Sequence, residues 1–387
     1  MHAAPQPLPR SGLQALSKNN PVCHVLLHCN GAETVSCRDD EIRLFSKMRN
    51  ETLRLPAFLR HYRQLGVDRF FIVDNGSTDG STEYLLAQPD VHVFRTGARF
   101  REARGGTDWL NALLREFGNG LWCVTVDVDE LLWFPGSEET GLRTLTAHFD
   151  SHGYQALACL LLDLYPGGPL SACNYAPEQN LVAAAPYFDI GPYLQTKPVA
   201  GRSPAYGTFG GVRGRVFYPE ARSKPLSWRL RFAMFTWIPG KIPLVRNWKF
   251  LRKHRPVVSP ILTKVPLVRW DQDSQYLDVN HFVSPKVVAP ESGVLLHFKF
   301  LQDFHERAVQ EIARGEYFGG ASEYRRYCDK LKSDPNLSFM YEGSTKLEST
   351  AQLVSLGLMR DTDAWVRARS QADPPRAGVG RRHGEAV

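Results

Sequence analysis

From residue 41 onward, short apolar runs alternate with amphipathic segments. Glu41-Ile42-Arg43-Leu44-Phe45-Ser46 reads as a strand that runs out into the polar loop Lys47-Met48-Arg49-Asn50-Glu51. Leu53, Leu55, Phe58, Leu59, Tyr62 and Leu65 then recur at near-helical spacing, and Gly66 supplies the stop. Arg69–Val73 is a second strand, closed by the turn Asp74-Asn75-Gly76-Ser77-Thr78-Asp79-Gly80. A helix from about Ser81 to Ala87 and a short strand, Val91–Phe94, follow. A helix over 107–117 precedes Leu121–Val126, a nearly continuous apolar strand of the kind covered on both faces. That strand delivers Asp127-Val128-Asp129-Glu130 at its carboxyl end. Further on, Tyr154–Leu162 is a strand reaching Asp163, 165–215 is mostly Gly- and Pro-rich loop, Val294–Phe300 is a strand, and a helical region begins near Gln302. This alternation predicts an α/β fold with a mostly parallel, Rossmann-like sheet flanked by helices. Ligands of such sheets bind beyond the carboxyl ends of the strands, where both acidic clusters of this chain fall.

Composition adds boundaries to this pattern. With 387 residues, 43% of them hydrophobic and 22% charged, the chain has ample length for one large domain or two modest ones. The division expected is a tail over 1–20, a nucleotide-binding half over 21–165, an acceptor-side half over 166–330, a helical region over 331–370 and a second tail over 371–387. No run approaches the roughly 20 apolar residues of a membrane span, and the N-terminus lacks the order of a signal peptide, so a cytoplasmic location is expected. Seven scattered cysteines point to reduced thiols. In Cys23-His24-Val25-Leu26-Leu27-His28-Cys29 the two histidines would suit zinc on a helix, but on a strand they stand roughly 13 Å apart.

Charge is concentrated in one place. Residues 201–258 hold thirteen Lys or Arg against the single acid Glu220, an excess of twelve, so the remainder of this +7 chain is net acidic by five. Such a segment attracts anions: an acidic acceptor or an anionic lipid surface. Trp228, Phe232, Phe235 and Trp237, interleaved with Arg229 and Arg231, would let it lie on the inner face of a membrane, and also suit a core helix. Nucleic acid is set aside, because no nucleic-acid-binding motif accompanies the charge.

Two carboxylates at i and i+2 leaving a buried strand can share one hard cation, Mn²⁺ or Mg²⁺, that also takes oxygens of a substrate diphosphate. The metal would stabilise the charge that builds on a departing nucleoside diphosphate. Asp74, at the end of its own strand, can accept hydrogen bonds from a nucleobase or ribose, while Gly76 and Gly80 permit the tight path and Ser77 or Thr78 can cap the next helix. A calcium loop is excluded by spacing, since Asp79 stands where glycine is required. A haloacid dehalogenase-like phosphatase would need a later paired-acid motif, and no Asp-Asp or Glu-Asp pair follows residue 131.

With both motifs placed, the chain resembles the family-2-like nucleotide-sugar glycosyltransferases of the branch that opens with a Lys-x-x-Asn-Glu loop. Lys47–Glu51, Leu65–Arg69, Phe71–Ser81 and Val126–Leu131 carry the resemblance, with Pro266–Trp270 and Leu295–Phe300 downstream. It implies a GT-A fold with an acceptor-side C-terminal extension, and transfer of a sugar from a nucleotide donor, a UDP-sugar foremost, to a glycan or other hydroxyl acceptor, with inversion. It implies donor contacts from Asn50, Glu51, Asp74, Asn75, Arg104, Asp108 and Asp127, and a metal held by Asp127, Asp129 and His297, with His281 a second candidate histidine. Inverting transfer needs a carboxylate base. The chain departs here from the wider family, lacking a Glu-Asp pair and a Gln-x-x-Arg-Trp motif in the acceptor half, so Asp163, Asp271 and Asp189 are the acids to test. The unassigned base leaves a catalytically inactive sugar- or nucleotide-binding module as the alternative.

Overall fold

The computed structural model describes residues 26–29, 38, 40–196, 200–219, 259–277 and 279–371. Both tails, Cys23, His24 and residues 220–258, with the aromatics of the basic segment, lie outside the described residues. Thirteen strands form among the residues described. They are β1 (Leu27–His28), β2 (Ile42–Met48), β3 (Arg69–Asp74), β4 (Val91–Arg95), β5 (Trp122–Thr125), β6 (Glu130–Trp133), β7 (Ala156–Asp163), β8 (Tyr187–Asp189), β9 (Tyr193–Gln195), β10 (Thr208–Gly210), β11 (Thr263–Arg269), β12 (Val288–His297) and β13 (Ser344–Lys346). Nine of them make one sheet in the order β1-β4-β3-β2-β5-β11-β7-β12-β6. β2, β3, β4 and β5 run parallel, as do β7 and β12, whereas β1, β6 and β11 run antiparallel to their neighbours. Strands from both expected halves thus belong to the same sheet.

Helices cover both faces. α1 (Leu55–Gln64) starts with Pro56 in its first turn and buries Leu55, Phe58, Leu59 and Tyr62, the positions its periodicity selects. Gly66, at φ +94°, turns the chain after it. α2 (Ser81–Leu86) links β3 to β4, and α3 (Thr107–Phe117) packs Trp109, Leu110 and Leu113 on the opposite face from α1. α4 (Leu142–His152) joins the α1 side. α5 (Phe304–Arg314) and α6 (Phe318–Ser333) enclose a third core with Tyr165, Phe217, Phe300 and Phe339. Among the described residues, no helix is long and apolar enough to cross a membrane.

The sheet has to curl. β5 and β6 stand four strand spacings apart in the order, about 19 Å if flat. Only five Cα steps join Thr125 to Glu130, a reach of roughly 17 Å fully extended. Curling brings these two strands together at the Asp-Val-Asp segment. α4, β6 and β11 were not anticipated from the pattern. In β11 the obstacle was Pro266, which removes a ladder donor; it lies at the register shift between Lys264 and Leu267, where a strand tolerates proline. β12 begins earlier than expected and ends at His297, and the Phe298 N–H carries its register with β6 one residue further by bonding the Asp129 carbonyl at 2.8 Å.

Candidate active site

The carboxyl ends of β2, β3, β5, β7 and β12 converge, and two polar loops are stapled together there. Asn50, at φ +54°, accepts from the Thr78 N–H through its side chain at 2.8 Å. The Ser81 hydroxyl accepts from the Glu51 N–H at 2.9 Å, and Asp79 accepts from the Thr52 N–H at 3.1 Å. Asp74 is fully buried. One of its oxygens accepts from the Ser77 N–H at 2.9 Å, the other from the Thr82 hydroxyl at 2.6 Å, so its carboxylate organises the turn it begins. Asn75 donates to the carbonyls of Thr96 and Ala98 and accepts from Arg314. Glu51 is buried against Arg307 and Arg54, and burial pushes its carboxyl up to about 7 against their attraction.

Asp127 sits between two ammonium groups. Lys47 Nζ lies 2.6 Å from one carboxylate oxygen and Lys264 Nζ 2.7 Å from the other. Lys264, 1% exposed at its side chain, also reaches Glu130 at 2.5 Å. Burial alone would raise the Asp127 pKa, but Lys264 and Lys47 reverse this and hold it low; the same carboxylates raise Lys264 despite its burial. Lys47 reaches Asp127 because residue 106 is glycine: a Cβ there would stand 2.4 Å from the lysine side chain, and its φ is +77°. This pairing sets Asp127 apart from Asp129, because each of its oxygens faces an ammonium group.

Asp129 faces different company. Its Oδ2 lies 3.3 Å from His297 Nε2, and His297 Nδ1 lies 2.6 Å from Asp163 Oδ1. Arg213 Nε donates to the other Asp163 oxygen at 2.7 Å. Burial would lower the pKa of His297, yet the carboxylates on its two sides raise it; Asp129 is held well below the usual range despite burial, chiefly by His297. Asp129, Glu130 and His297 each offer a ligand atom within 4.8 Å of the others.

The remaining candidates separate. Arg104 and Asp108 pair with each other at 2.9 Å at the start of α3. Asp163 is buried behind His297, its two oxygens shared between the ring and Arg213. Asp189 is buried with both oxygens engaged, by Tyr165 at 2.6 Å and Arg215 at 2.8 Å. Asp271 lies at the wrong end of the sheet: β11 is antiparallel to β5, so Arg269 pairs with Trp122, and the Gly120 N–H bonds the Trp270 carbonyl. At ~3.3 Å per residue this is roughly 16 Å or more from Asp127. His281 bonds the Thr263 carbonyl at 2.8 Å, and burial pushes its pKa down to about 3. Sequence reasoning missed Lys264, Arg213 and Arg307. Lys264 did leave a signal, a lone lysine in the apolar run Leu262-Thr263-Lys264-Val265.

No protein-family model matches the chain. It is similar to two plant proteins. One is a glycosyltransferase family 92 protein of Ricinus communis, 30% identical over 132 residues, covering 32% of this chain and 23% of the relative. The other is a glycosyltransferase family 92 protein of Oryza sativa subsp. japonica, 25% identical over 144 residues, covering 35% of this chain and 20% of the relative. The aligned region thus spans about a fifth to a quarter of the length of these curated relatives, and the similarity points to glycosyl transfer in general.

Proposed function

We propose that the chain is a metal-assisted glycosyltransferase of GT-A type. It moves a sugar from a nucleoside diphosphate sugar, a UDP-sugar foremost, to a hydroxyl acceptor with inversion. The observation that carries this reading is the Asp163–His297–Asp129 series at the carboxyl end of the sheet. A carboxylate on Nδ1 fixes the ring so that Nε2 points at a second carboxylate, the arrangement by which proteins orient a histidine ligand.

The donor set fits a divalent ion: Asp129 and His297 would hold Mn²⁺ or Mg²⁺, with substrate oxygens completing its shell. When bound, such an ion supplies positive charge to the departing diphosphate. The chain's own residues do the rest. Lys47 and Lys264 fix Asp127 at the carboxyl end of the apolar strand, where it can accept a hydrogen bond from the donor ribose. Asp74, Asn50 and Glu51 tie the two loops together, and the nucleoside would lie against them. Arg54 bonds the Phe298 carbonyl at 2.9 Å and Asp303 at 2.6 Å, tying the chain just after His297 to the first loop.

The test is a donor-hydrolysis screen of UDP-, GDP-, dTDP- and CMP-sugars with and without Mn²⁺ or Mg²⁺. Nucleotide release is expected to require metal and to fall about 10³-fold in Asp129→Ala, the scale of losing a principal charge-stabilising group. Activity that survives both EDTA and that substitution would refute the reading. Donor binding with no release or transfer to any hydroxyl acceptor would assign a binding module instead.

A further inference from the structure

Helix α5 turns one charged face toward the proposed donor cleft. Arg307, Glu311 and Arg314 are spaced i, i+4 and i+7, so they share a side of the helix. Arg307 Nη1 bonds the Glu51 carboxylate at 3.2 Å, and the carboxylates of Glu51, Asp303 and Asp129 together hold its guanidinium charged against burial. Arg314, seven residues on, donates to the side-chain oxygen of Asn75. At 1.5 Å rise per residue these anchors stand ~10 Å apart along the helix. The face therefore runs from the Asp129 end of the cleft to the Asp74–Gly80 turn, the length over which a nucleoside diphosphate would lie.

Glu311 is the odd member of this face. Its Oε2 is buried, and no described residue donates a hydrogen bond to it. Arg314 Nη1 comes nearest as an ion-pair partner, at 4.0 Å. Arg49, Arg307 and Lys299 also lie close enough to act on it electrostatically. A carboxylate oxygen shut off from water without a donor is costly, and because the Glu311 side chain is 17% exposed, rotation of the carboxylate can offer that oxygen to donors from outside the chain. Phosphate cannot supply them, because it carries the same sign of charge. Hydroxyl groups can. Tyr317, its ring centroid 5.3 Å from that of Phe100 and 4.7 Å from that of Tyr324, stands beside Glu311 and adds a flat surface of the kind sugars pack on.

Resting on the donor reading above, we propose that Glu311 is a donor-binding residue whose carboxylate accepts hydrogen bonds from hydroxyls of the nucleotide-sugar, on the ribose or on the transferred sugar.

The experiment is calorimetric titration of the whole chain with UDP, 2′,3′-dideoxy-UDP and UDP-glucose in the presence of Mn²⁺. Wild type is compared with Glu311→Ala and the near-isosteric Glu311→Gln, melting temperature serving as the control on folding. If the ribose is the partner, the alanine variant binds UDP about tenfold or more weakly, and removing the ribose hydroxyls costs it no further affinity. If the transferred sugar is the partner, UDP binding is unchanged and only UDP-glucose weakens. Affinities within twofold of wild type for all three ligands would overturn the assignment. So would equal losses for UDP and its dideoxy analogue without a compensating loss specific to UDP-glucose, because that pattern reports a structural role. A wild type that binds none of the three would bring down the uridine-donor reading together with this assignment. Wild-type binding with unaltered variants would bring down the Glu311 assignment alone.

Discussion

Asp127 and Asp129 are two residues apart on one segment, yet they occupy opposite electrostatic environments. Asp127 lies between the ammonium groups of Lys47 and Lys264, brought by the first parallel strand of the main series and by an antiparallel strand far along the chain. Asp129 meets an imidazole whose other nitrogen is held by Asp163. The difference teaches that a two-carboxylate spacing does not assign two equal roles. The strands that close around it decide which carboxylate is neutralised within the protein and which is left for a cation. One arm of the motif is an internal ion pair, and the other is the arm on which the proposed metal site rests.

The sharpest way to break this contrast is to remove the buried cation of the first arm. Lys264→Met leaves Glu130 buried without its ammonium partner and strips Asp127 of one of two. Uncompensated buried charge of this kind costs about 3–5 kcal/mol, so a large fall in melting temperature is expected. Adding Glu130→Gln to the same chain should recover part of it, since the charge left without its ammonium partner then disappears. If Lys264→Met melts within about 1 kcal/mol of wild type, Asp127 is not held as described and the two arms are not distinct.

A smaller effect tests the second arm. Asp163→Asn keeps the size of the side chain but removes the charge that fixes the His297 ring. Loss of such an orienting carboxylate lowers metal affinity about 10–100-fold. Titration with Mn²⁺ should show that loss. An unchanged metal affinity would mean that Asp163 serves only Arg213, and that His297 needs no orientation to meet Asp129.

How far these arms were legible depends on the reach of each contact. The two polar loops after β2 and β3 were readable as structure because they are local: Asp74 bonds Ser77 and Thr82 within eight residues, and strand, turn and helix announce one another by periodicity. The mostly parallel sheet followed from the same alternation. Lys264 lies 137 residues from Asp127, and Asp163 lies 134 from His297, separations that no periodicity encodes. Asp271 was misplaced for a related reason. Its acid type was visible, but the antiparallel direction of β11 was not, and that direction carries it to the far end of the sheet. Asp163 was correctly found at a strand end, but its role depends on a histidine one strand over.

The two kinds of buried histidine extend the comparison, and they yield the smallest effect. His297 is raised by carboxylates on both sides despite burial. His92, stacked on Phe71 at 4.9 Å and with Nδ1 buried and unpartnered among the described residues, has no carboxylate to bond and is lowered by burial from 6.5 to about 4. A histidine with a depressed folded pKa contributes stability that is complete above pH 6.5 and is lost as pH falls toward 4, because over that window only the unfolded chain binds the proton. At pH 5.5 the loss from His92 amounts to about 1 kcal/mol. His92→Phe keeps the stacking surface and removes the titration, so its melting temperature should fall less than that of wild type between pH 7 and 5.5. Equal falls would show that this ring takes up its proton in the folded state, and that burial without a carboxylate does not separate it from His297.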